Sequence, residues 1–367
     1  MFILKWELIY LYIFLFSTVL SLILTPIAGK VAIRLNIVDH PGERKIHKEP
    51  KPYLGGTAIF LAFMITIIGH LFVLKIMPHL PFYIPPDISI YLKNVSYTHK
   101  KILSLLLGGT LIYIIGTYDD IKGLRPSVKL LFQILAGLIL FWGGIRIVAF
   151  INNIYLTAIV SILWVVLLTN SFNFLDNMDG LSAGVAVIIS LVFAYLSFMD
   201  NQFFMTVFLL AYSGSILGFL RFNLSPSKIF MGDGGSMFIG FMMSALTMLA
   251  TYYKTGAPTQ FPILMPLIIL GIPLFDTITV LWIRFKNKKP LMKGDTNHFS
   301  HRLVALGMSE GDAVYFIYFI TLSMSFGALL LKHLKLAQCI LVLVQTITIF
   351  IIIYFLENVK KNSKRDF

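Results

Sequence analysis

The sequence predicts an all-α, polytopic integral membrane protein, and its composition, its hydrophobic runs and the distribution of its basic residues support this fold class. Of the 367 residues, 57% are hydrophobic and 13% are charged, which leaves too little polar surface to coat a water-soluble globule. Hydrophobic runs of about 20 residues, the length that crosses a bilayer, recur along the chain. Since no long polar stretch interrupts them, we expect one membrane-embedded domain over residues 1–367.

The hydrophobic runs predict about eleven transmembrane helices, with ten as the alternative. The predicted spans are 8–29, 57–77, 102–118, 128–149, 154–171, 181–199, 203–222, 237–253, 261–283, 313–332 and 337–356. Positive charge follows the first run more strongly than it precedes it, so we expect a retained helix rather than a signal peptide. The single cysteine, Cys339, excludes an intrachain disulfide.

The basic residues are distributed unevenly between the two sides that the predicted helices define. One alternating set of breaks, including 30–56, 119–129 and 284–312, holds 21 of the 30 Lys and Arg residues. The positive-inside rule places this set in the cytoplasm, the N-terminus outside and a basic tail, 357–367, in the cytoplasm. In so apolar a chain, the net charge of +13 favours anionic lipid and phosphorylated substrates over nucleic acid.

An adjacent acidic pair, Asp119 and Asp120, ends a predicted helix in the segment GTYDDIKGLRPS. Two carboxylates at a helix C-terminus repel each other and face the negative end of the helix dipole, so a cation would stabilise them. The alternative is a pair of solvated loop acids beside Lys122 and Arg125. Further acidic segments on the same predicted side of the membrane favour the cation site.

A second acidic segment, NSFNFLDNMDGLSAG, places Asn173, Asp176 and Asp179 at spacings of three residues. In helical backbone these side chains share one face, and Gly180 and Gly184 permit close approach of a ligand or another backbone. Unpaired polar groups at the edge of a membrane are costly, so this stripe indicates a functional site.

A third segment, FMGDGGSMFIGF, places Asp233 in a glycine-rich turn that opens a predicted helix. The N–H groups of such a turn suit a phosphate, and the carboxylate suits Mg²⁺. Just upstream, Asn223, Ser225 and Lys228 add amide, hydroxyl and cationic groups on the same side.

Two basic segments on this side complete the set of candidates. They are DHPGERKIHKEPKPYLGG, with Arg44, His47 and Lys48, and GDTNHFSHRLVALG, with His298, His301 and Arg302. The charge of the first segment fits membrane anchoring as well as substrate binding. The second segment lacks the HExxH frame of zinc hydrolases, so clamping a diphosphate is the better use of its side chains.

Asp276, in PLFDTITVLWIR, lies about two turns inside a predicted span and must face protein or water rather than lipid. A role in a substrate pathway and an interhelical hydrogen bond both fit this position.

Five segments occur in the order found in polyprenyl-phosphate N-acetylhexosamine-1-phosphate transferases: RKIHKEPKPYLGG, the Asp119–Asp120 pair, NFLDNMDGLSAG, FMGDGGS and HFSHRL. The sequence resembles this family over residues 39–302, and it looks like the members that initiate teichoic-acid, O-antigen or capsule assembly. It lacks the GTPTMGG segment and the triple histidine typical of phospho-MurNAc-pentapeptide transferases. Ser300 also replaces one histidine of the HIHHR form of enterobacterial relatives, so a role for that position does not transfer.

The resemblance implies a reaction at the cytoplasmic face of the bacterial inner membrane. Undecaprenyl phosphate would attack the sugar-bearing phosphorus of a UDP-N-acetylhexosamine, N-acetylglucosamine being the first choice, and release UMP. The product, an undecaprenyl-diphospho-sugar, starts a cell-envelope polysaccharide. The implied cofactor is Mg²⁺, with Mn²⁺ as the alternative; the implied partners are the two substrates and the bilayer, with no nucleic acid and a homodimer left open.

The resemblance also implies roles for single residues. The implied catalytic residues are Asp119, Asp120, Asp176 and Asp179, the metal ligands Asp233 and Asp120, and the substrate-binding residues Asn173, Asn223, Arg44, His47, Lys48, His298, His301 and Arg302. Asp119 is the candidate base. Because the second pKa of a phosphate monoester is about 6, the lipid phosphate is largely dianionic at neutral pH and a strong base is not obligatory.

Four other functions fit the sequence less well than the N-acetylhexosamine-1-phosphate transferase reaction. A phospho-MurNAc-pentapeptide transferase is the alternative within the same superfamily. A secondary transporter would place acids near the midplane on broken helices with repeat symmetry, a pattern that only Asp276 approaches. Gly184 stands where the DGxxAR signature of CDP-alcohol phosphatidyltransferases needs arginine, and the residues after Asp120 do not complete the DDxxD frame of prenyltransferases.

Overall fold

The computed structural model describes residues 6–39, 50–76, 86–148, 151, 153–250, 252, 259–290 and 296–363, with side chains described except at 86–97 and 358–363. The chain packs into two compact units, Met1–Ala250 and Thr251–Phe367. The expectation of one membrane domain stays a prediction, because compact packing units need not be independent folding domains.

Apart from two strands of two residues each, all regular secondary structure in the described residues is helical, which confirms the all-α class. The first unit contains α1 (Trp6–Arg34), β1 (Val38–Asp39), β2 (Lys51–Pro52), α2 (Gly55–Ile76), α3 (Pro86–Lys122), α4 (Pro126–Trp142), α5 (Ile154–Leu175), α6 (Leu181–Met199), α7 (Phe203–Asn223) and α8 (Gly232–Leu249). The second unit contains a 3-10 turn (Phe261–Leu264), α9 (Met265–Ile269), α10 (Gly271–Lys286), α11 (Phe299–Ala305), α12 (Glu310–Leu330) and α13 (Leu336–Ser363).

Within the described residues, eight helices are long and apolar enough to cross a membrane: α1, α2, α3 from Thr98, α5, α6, α7, α12 and α13. The bent pair Phe261–Ile269 and Gly271–Lys286 makes a ninth if it forms one broken span. These helices confirm the polytopic class. The two remaining predicted spans fall on α4, which has 17 residues, and on α8, which is almost wholly buried. The count of eleven and the orientation of the termini stay predictions.

The first turn of α8 lies unusually close to two neighbouring helices. α8 packs against α2, α3 and α5. A Cβ added to Gly116 of α3 would lie 2.5 Å from the carbonyl oxygen of Asp233, and one added to Gly56 of α2 would overlap the backbone of Gly235. Since glycine alone permits such an approach, these positions set the start of α8 against the C-terminal end of α3, where the acidic pair lies.

The segment before α8 is hydrogen-bonded to the turn before α2. β1 and β2 pair antiparallel, with Val38 opposite Pro52. Phe230 N donates to the carbonyl oxygen of Pro52 at 2.9 Å, and Gly55 N donates to the carbonyl oxygen of Phe230 at 3.0 Å. Two of the sequence segments, KPYLGG and FMGDGGS, are thereby joined into one framework at the start of α8.

In the second unit, α9 and α10 are bent by 66° relative to each other. Pro266 and Pro273 flank the break and cannot donate backbone hydrogen bonds, which accounts for the kink. The bend starts α10 at Gly271 and places Asp276 in its second turn.

Candidate active site

A lysine lies between two of the predicted acids at the start of α8. Lys129 Nζ donates hydrogen bonds to Asp119 Oδ2 and Asp233 Oδ2, each at 2.8 Å. Its helix, α4, begins at Pro126, which is well suited to the first position of a helix, so Lys129 extends from the first turn. This ammonium supplies positive charge where the sequence predicts that a cation would stabilise the acids.

Asp120 caps the N-terminus of α8. Its carboxylate oxygens accept hydrogen bonds from the backbone N–H groups of Asp233 and Gly234, at 2.7 and 3.0 Å. Gly232, with φ of +74°, turns the chain into the helix, and a Cβ at this position would collide with the Asp120 carboxylate. The helix dipole favours a negative charge here. The N–H groups that the sequence assigned to a phosphate therefore bind a carboxylate of the chain itself.

Asn173 orients Asp233 from the last turn of α5. Its Nδ2 atom donates to Asp233 Oδ1 and to Ser236 Oγ, both at 3.0 Å. Because Lys129 binds the other oxygen, both oxygens of Asp233 have donors within the protein. The ends of α3 and α5 and the starts of α4 and α8 thus meet around one carboxylate.

Asp176 differs from the other acids of the site. It caps the C-terminus of α5, and its carboxylate accepts no hydrogen bond within the described part of the chain. Burial raises the pKa of Asp176 well above the usual range of a carboxyl group, and the charges of Asp233, Asp120 and Asp179 raise that pKa further. A partly buried acid among like charges is typical of a functional site.

Asp179 and Asn223 hold the loop before α8 in place. Asp179 accepts hydrogen bonds from Ser227 N at 2.9 Å and from Ser227 Oγ at 2.7 Å. Asn223 Oδ1 accepts a hydrogen bond from Gly180 N at 3.1 Å. The structure therefore gives both predicted site residues partners within the chain, and their roles towards a substrate stay predictions.

Two residues within the first predicted break, Tyr53 and Lys51, lie near the same acids. Burial and the Asp39 carboxylate raise the pKa of the Tyr53 phenol, and the charges of Asp120 and Asp233 act in the same direction. The phenol therefore stays protonated at neutral pH and is a hydrogen-bond donor near the acids. Lys51 Nζ lies 3.6 Å from Asp179 Oδ2 and adds a second cation.

The sequence analysis missed Lys129, Tyr53 and Ser227 as site residues. A signal for Lys129 was present, because the short break after Asp120 forces the start of α4 to lie beside the end of α3. A lysine in the first turn after Pro126 is then expected to face the acidic pair. For Ser227 and Tyr53 the sequence carries no comparable signal, since their contacts depend on the folded loops.

The second unit holds the predicted histidines at α11. His298 is the N-cap residue of this helix, and its Nδ1 atom lies 2.8 Å from Asp276 Oδ2. The ring of His301 lies 6.4 Å from that of His298. Of the two hypotheses for Asp276, the structure supports the hydrogen-bonding role, since its carboxylate pairs with His298.

Arg302 makes three contacts within the second unit. Its Nε atom donates to Glu357 Oε1 at 2.8 Å, Nη2 donates to Thr279 Oγ1 at 3.0 Å, and Nη1 donates to the carbonyl oxygen of Asn297. A clamp on a diphosphate by this side chain stays a prediction, as does substrate binding by His298 and His301. The predicted residues Arg44, His47 and Lys48 lie outside the described residues.

Together, fold and site define a polytopic α-helical membrane protein with a cluster of carboxylates and lysines where several helices end. The model of glycosyl transferase family 4 matches residues 102–251, which include Asp119, Asp120, Lys129, Asp176, Asp179 and Asp233. The chain is 32% identical over 352 residues to the probable undecaprenyl-phosphate N-acetylglucosaminyl 1-phosphate transferase of Bacillus subtilis (strain 168), with 94% of the chain and 89% of the relative covered. The chain belongs to glycosyl transferase family 4.

Two further relatives carry different substrates in their names. The decaprenyl-phosphate N-acetylglucosaminephosphotransferase of Mycobacterium tuberculosis (strain H37Rv) is 31% identical over 324 residues, with 81% of the chain and 76% of the relative covered. The phospho-N-acetylmuramoyl-pentapeptide-transferase of Caldanaerobacter subterraneus is 33% identical over 248 residues, with 61% of the chain and 74% of the relative covered. The family resemblance found in the sequence is confirmed.

Proposed function

We propose that this protein transfers N-acetylglucosamine 1-phosphate from UDP-N-acetylglucosamine to undecaprenyl phosphate. The observation that carries the proposal is the Lys129 ammonium held between Asp119 and Asp233, close to Asp176, whose carboxylate accepts no hydrogen bond from the described residues. The name of the Bacillus relative supports undecaprenyl phosphate as the acceptor, and the names of the Bacillus and Mycobacterium relatives both support the sugar. The product starts a cell-envelope polysaccharide.

The bond changes balance without a redox partner. An oxygen of the lipid phosphate forms a bond to the sugar-bearing phosphorus of the UDP-sugar, and the bond from that phosphorus to the bridging oxygen breaks. The electron pair of the broken bond leaves with UMP, and the lipid retains a diphosphate linked to the sugar. Since the lipid phosphate is largely dianionic at neutral pH, with a second pKa of about 6, the main demand on the protein is charge neutralisation and alignment.

Lys129 meets the first of these demands. An ammonium group carries three N–H donors, and carboxylates accept two of them here. The third donor and the positive charge are available to an oxygen of the reacting phosphates. Asn173 and the α8 backbone keep Asp233 and Asp120 in place, so the site needs little rearrangement as charge develops.

We also propose that a divalent cation, Mg²⁺ or Mn²⁺, binds with the substrate. Among the described residues no three His, Cys, Asp or Glu side chains form a ready-made metal centre. Mg²⁺ seldom needs one, because one or two carboxylates commonly hold it together with water and substrate phosphates. Asp233 and Asp176, whose carboxylate has no hydrogen-bond donor in the described part of the chain, fit that arrangement. When bound, the ion neutralises charge on the diphosphate.

Asp120 is a weaker candidate ligand than the sequence indicated. Both of its oxygens accept backbone N–H groups of α8, although each oxygen keeps a second lone pair. Its firmest role is to hold the first turn of α8, and therefore Asp233, against α3. Asp119 accepts hydrogen bonds from Lys129 and from the backbone N–H of Leu124, and each of its oxygens likewise keeps a second lone pair for its proposed role as a base.

The proposed site faces the cytoplasm of a bacterium. The basic breaks that accompany the acids support this side through the positive-inside rule, and a cytoplasmic site gives access to a soluble nucleotide sugar. The lipid phosphate would reach the same helix ends from the bilayer. A homodimer is consistent with the proposal and is not required by it.

The test is a donor panel with purified protein in lipid nanodiscs containing undecaprenyl phosphate. UDP-N-acetylglucosamine, UDP-N-acetylgalactosamine and UDP-MurNAc-pentapeptide are compared by UMP release and by mass spectrometry of the lipid. We expect turnover with UDP-N-acetylglucosamine, its loss with EDTA and its recovery with Mg²⁺. Turnover with UDP-MurNAc-pentapeptide alone would favour the alternative represented by the Caldanaerobacter relative, and no UMP from any donor would refute the proposal.

A further inference from the structure

Two amide side chains form a reciprocal pair between α4 and α5, one helical turn from the candidate active site. Asn170 Nδ2 donates to Gln133 Oε1 at 2.7 Å, and Gln133 Nε2 donates to Asn170 Oδ1 at 3.3 Å. Asn170 Nδ2 also donates to the carbonyl oxygen of Val166 at 2.7 Å, so both N–H groups of this amide have acceptors. Gln133 is 1% exposed. The two amides therefore satisfy each other where the two helices pack.

The pair lies close to the two side chains that donate to Asp233. Gln133 follows Lys129 by four residues in α4, so the two share a face of that helix. Asn170 precedes Asn173 by three residues in α5, with the same consequence. Lys129 binds one oxygen of Asp233 and Asn173 binds the other. The amide contact thus joins the two helices directly behind the donors to one carboxylate.

Such a pair fixes the position of one helix along the other. Apolar packing between membrane helices specifies this register weakly, because lipid tails solvate apolar side chains as well as another helix does. Sliding α4 by one residue, about 1.5 Å, would strain or break both hydrogen bonds and leave buried amides without partners. A single buried polar residue fixes the register of coiled coils in the same way. An added Cβ at Gly137 would lie 3.3 Å from Ile162, so the helices also have little room to rotate.

The register of α4 matters because the Lys129 ammonium serves two acids at once. Its Nζ atom lies 2.8 Å from Asp119 Oδ2 and 2.8 Å from Asp233 Oδ2. Asp233 is held from α5 by Asn173, so a displacement of α4 relative to α5 moves the ammonium relative to this carboxylate. A misplacement of about 1 Å in a preorganised site can lower a rate about 100-fold.

We infer that Gln133 and Asn170 are positioning residues, which set the register of α4 against α5 and so hold Lys129 at Asp233. The inference rests on the proposed transferase function, in which Lys129 neutralises charge on the reacting phosphates. Both amides lie outside the residues proposed to contact substrate. The pairing does not follow from the sequence, where the two residues lie 37 positions apart.

The main test replaces both amides by apolar side chains of similar shape, Gln133→Met with Asn170→Leu. Removing both partners leaves no unpaired amide, so the thermal midpoint should equal or exceed that of the wild type, whereas each single substitution should lower it. The kcat for UMP release should fall about 10- to 100-fold, with a small change in KM, because Lys129 acts as charge develops. A pair that only stabilises the fold predicts wild-type turnover once the midpoint is restored.

A second measurement shows whether the loss passes through Lys129. The same two substitutions are introduced into Lys129→Met, which lacks the ammonium. The further loss of kcat should be less than about threefold, since substitutions that act through a shared partner are not additive. If the double variant fails to fold, Gln133→Met alone replaces it in both measurements, because Asn170 then keeps its hydrogen bond to Val166.

The control removes a different hydrogen-bonded pair from α5. Trp164 Nε1 donates to Thr247 Oγ1 of α8 at 3.0 Å. Trp164 lies nine residues before Asn173, about 13 Å along the helix. Trp164→Phe with Thr247→Val should retain the wild-type kcat whatever its thermal midpoint, because this pair does not set the position of α4.

Four results would overturn the inference. They are wild-type kcat in the folded double variant, an equal loss of kcat with and without Lys129, a comparable loss in the control, and changes in midpoint from the two single substitutions that simply add in the double variant. The midpoints are measured without substrate. Absence of UMP from the wild type would refute the transferase proposal, whereas additive midpoints would refute the amide pairing, so the two failures are distinguishable.

Discussion

Asp176 and Asp179 lie three residues apart in one segment, and their surroundings differ sharply. Asp179 receives two hydrogen bonds from Ser227 and lies near Lys51. Asp176 receives no hydrogen bond within the described residues and faces other negative charges. Asp179 stabilises a loop, whereas the charge of Asp176 would be stabilised by a cation, such as one that binds together with the substrate phosphates. From this difference we propose a structural role for Asp179 and a chemical role for Asp176 within a single motif.

The largest effect is expected from Lys129→Met, which removes the ammonium between Asp119 and Asp233 and keeps most of the side-chain volume. Turnover should fall about 100- to 1,000-fold, the range typical for losing one preorganised electrostatic partner. UMP release in nanodiscs measures it. Lys122→Met, at an exposed position at the end of α3, is the matched control. Equal activities of the two variants would show that Lys129 takes no part in the reaction.

Asp176→Asn should separate activity from stability. Turnover is expected to fall about 100-fold, because the carboxylate proposed to help hold the divalent cation is lost. Stability should be unchanged or higher: an acid whose pKa is raised by folding binds its proton more tightly in the folded protein, so its ionisation lowers stability above the unfolded pKa. Thermal unfolding in detergent measures this. A lower unfolding midpoint would mean that Asp176 has a stabilising partner.

Gly116→Ala tests whether the surroundings of Asp176 and Asp179 both depend on the close approach of α3 and α8. The new methyl group would meet the backbone carbonyl of Asp233, so a helix must shift, at a cost of about 3 kcal/mol. Thermal unfolding and UMP release should both decline. Gly69→Ala in α2 is the control, since nothing lies within 4 Å of its added Cβ, and it should gain about 0.5 kcal/mol. Similar midpoints for the two variants would contradict the close packing.

The smallest effect on turnover is expected from Asp179→Ala. Ser227 N and Oγ lose their acceptor, which should lower the free energy of unfolding by about 1–2 kcal/mol. Turnover should drop by less than about 10-fold, because the loop, rather than a reacting group, is disturbed. A 100-fold loss of turnover with normal stability would give Asp179 a direct chemical role and erase the contrast with Asp176.

The sequence predicted most of the carboxylates and their common site, because hydropathy and basic-residue bias place all of them at helix ends on one side. It could not predict which acid is paired. Lys129 belongs to a different break from Asp233, and their contact exists only once α8 packs against α3. In the same way, the resemblance suggested the histidines, but only folding shows that Asp276 holds one of them.

The length of helices was predicted less well than their existence. Predicted spans near 102–118 and 154–171 end several residues before α3 and α5 do. The helices continue because Asp119, Asp120 and Asn173 find partners on α4 and α8, which compensates for polar residues at the last turn. Tertiary contacts of this kind are invisible to a hydropathy pattern.

The most direct measurement follows the sugar-bearing phosphorus from the nucleotide sugar to the lipid. UDP-N-acetylglucosamine labelled at the sugar-bearing phosphate is incubated with undecaprenyl phosphate, Mg²⁺ and either wild type, Lys129→Met or Asp176→Asn. We predict that the label enters the lipid as undecaprenyl-diphospho-N-acetylglucosamine, that unlabelled UMP is released in equal amount, and that both variants lose most of this transfer. Label remaining in the nucleotide with wild type, or full transfer by both variants, would contradict the assignment of the chemistry to the carboxylate and lysine cluster at α8.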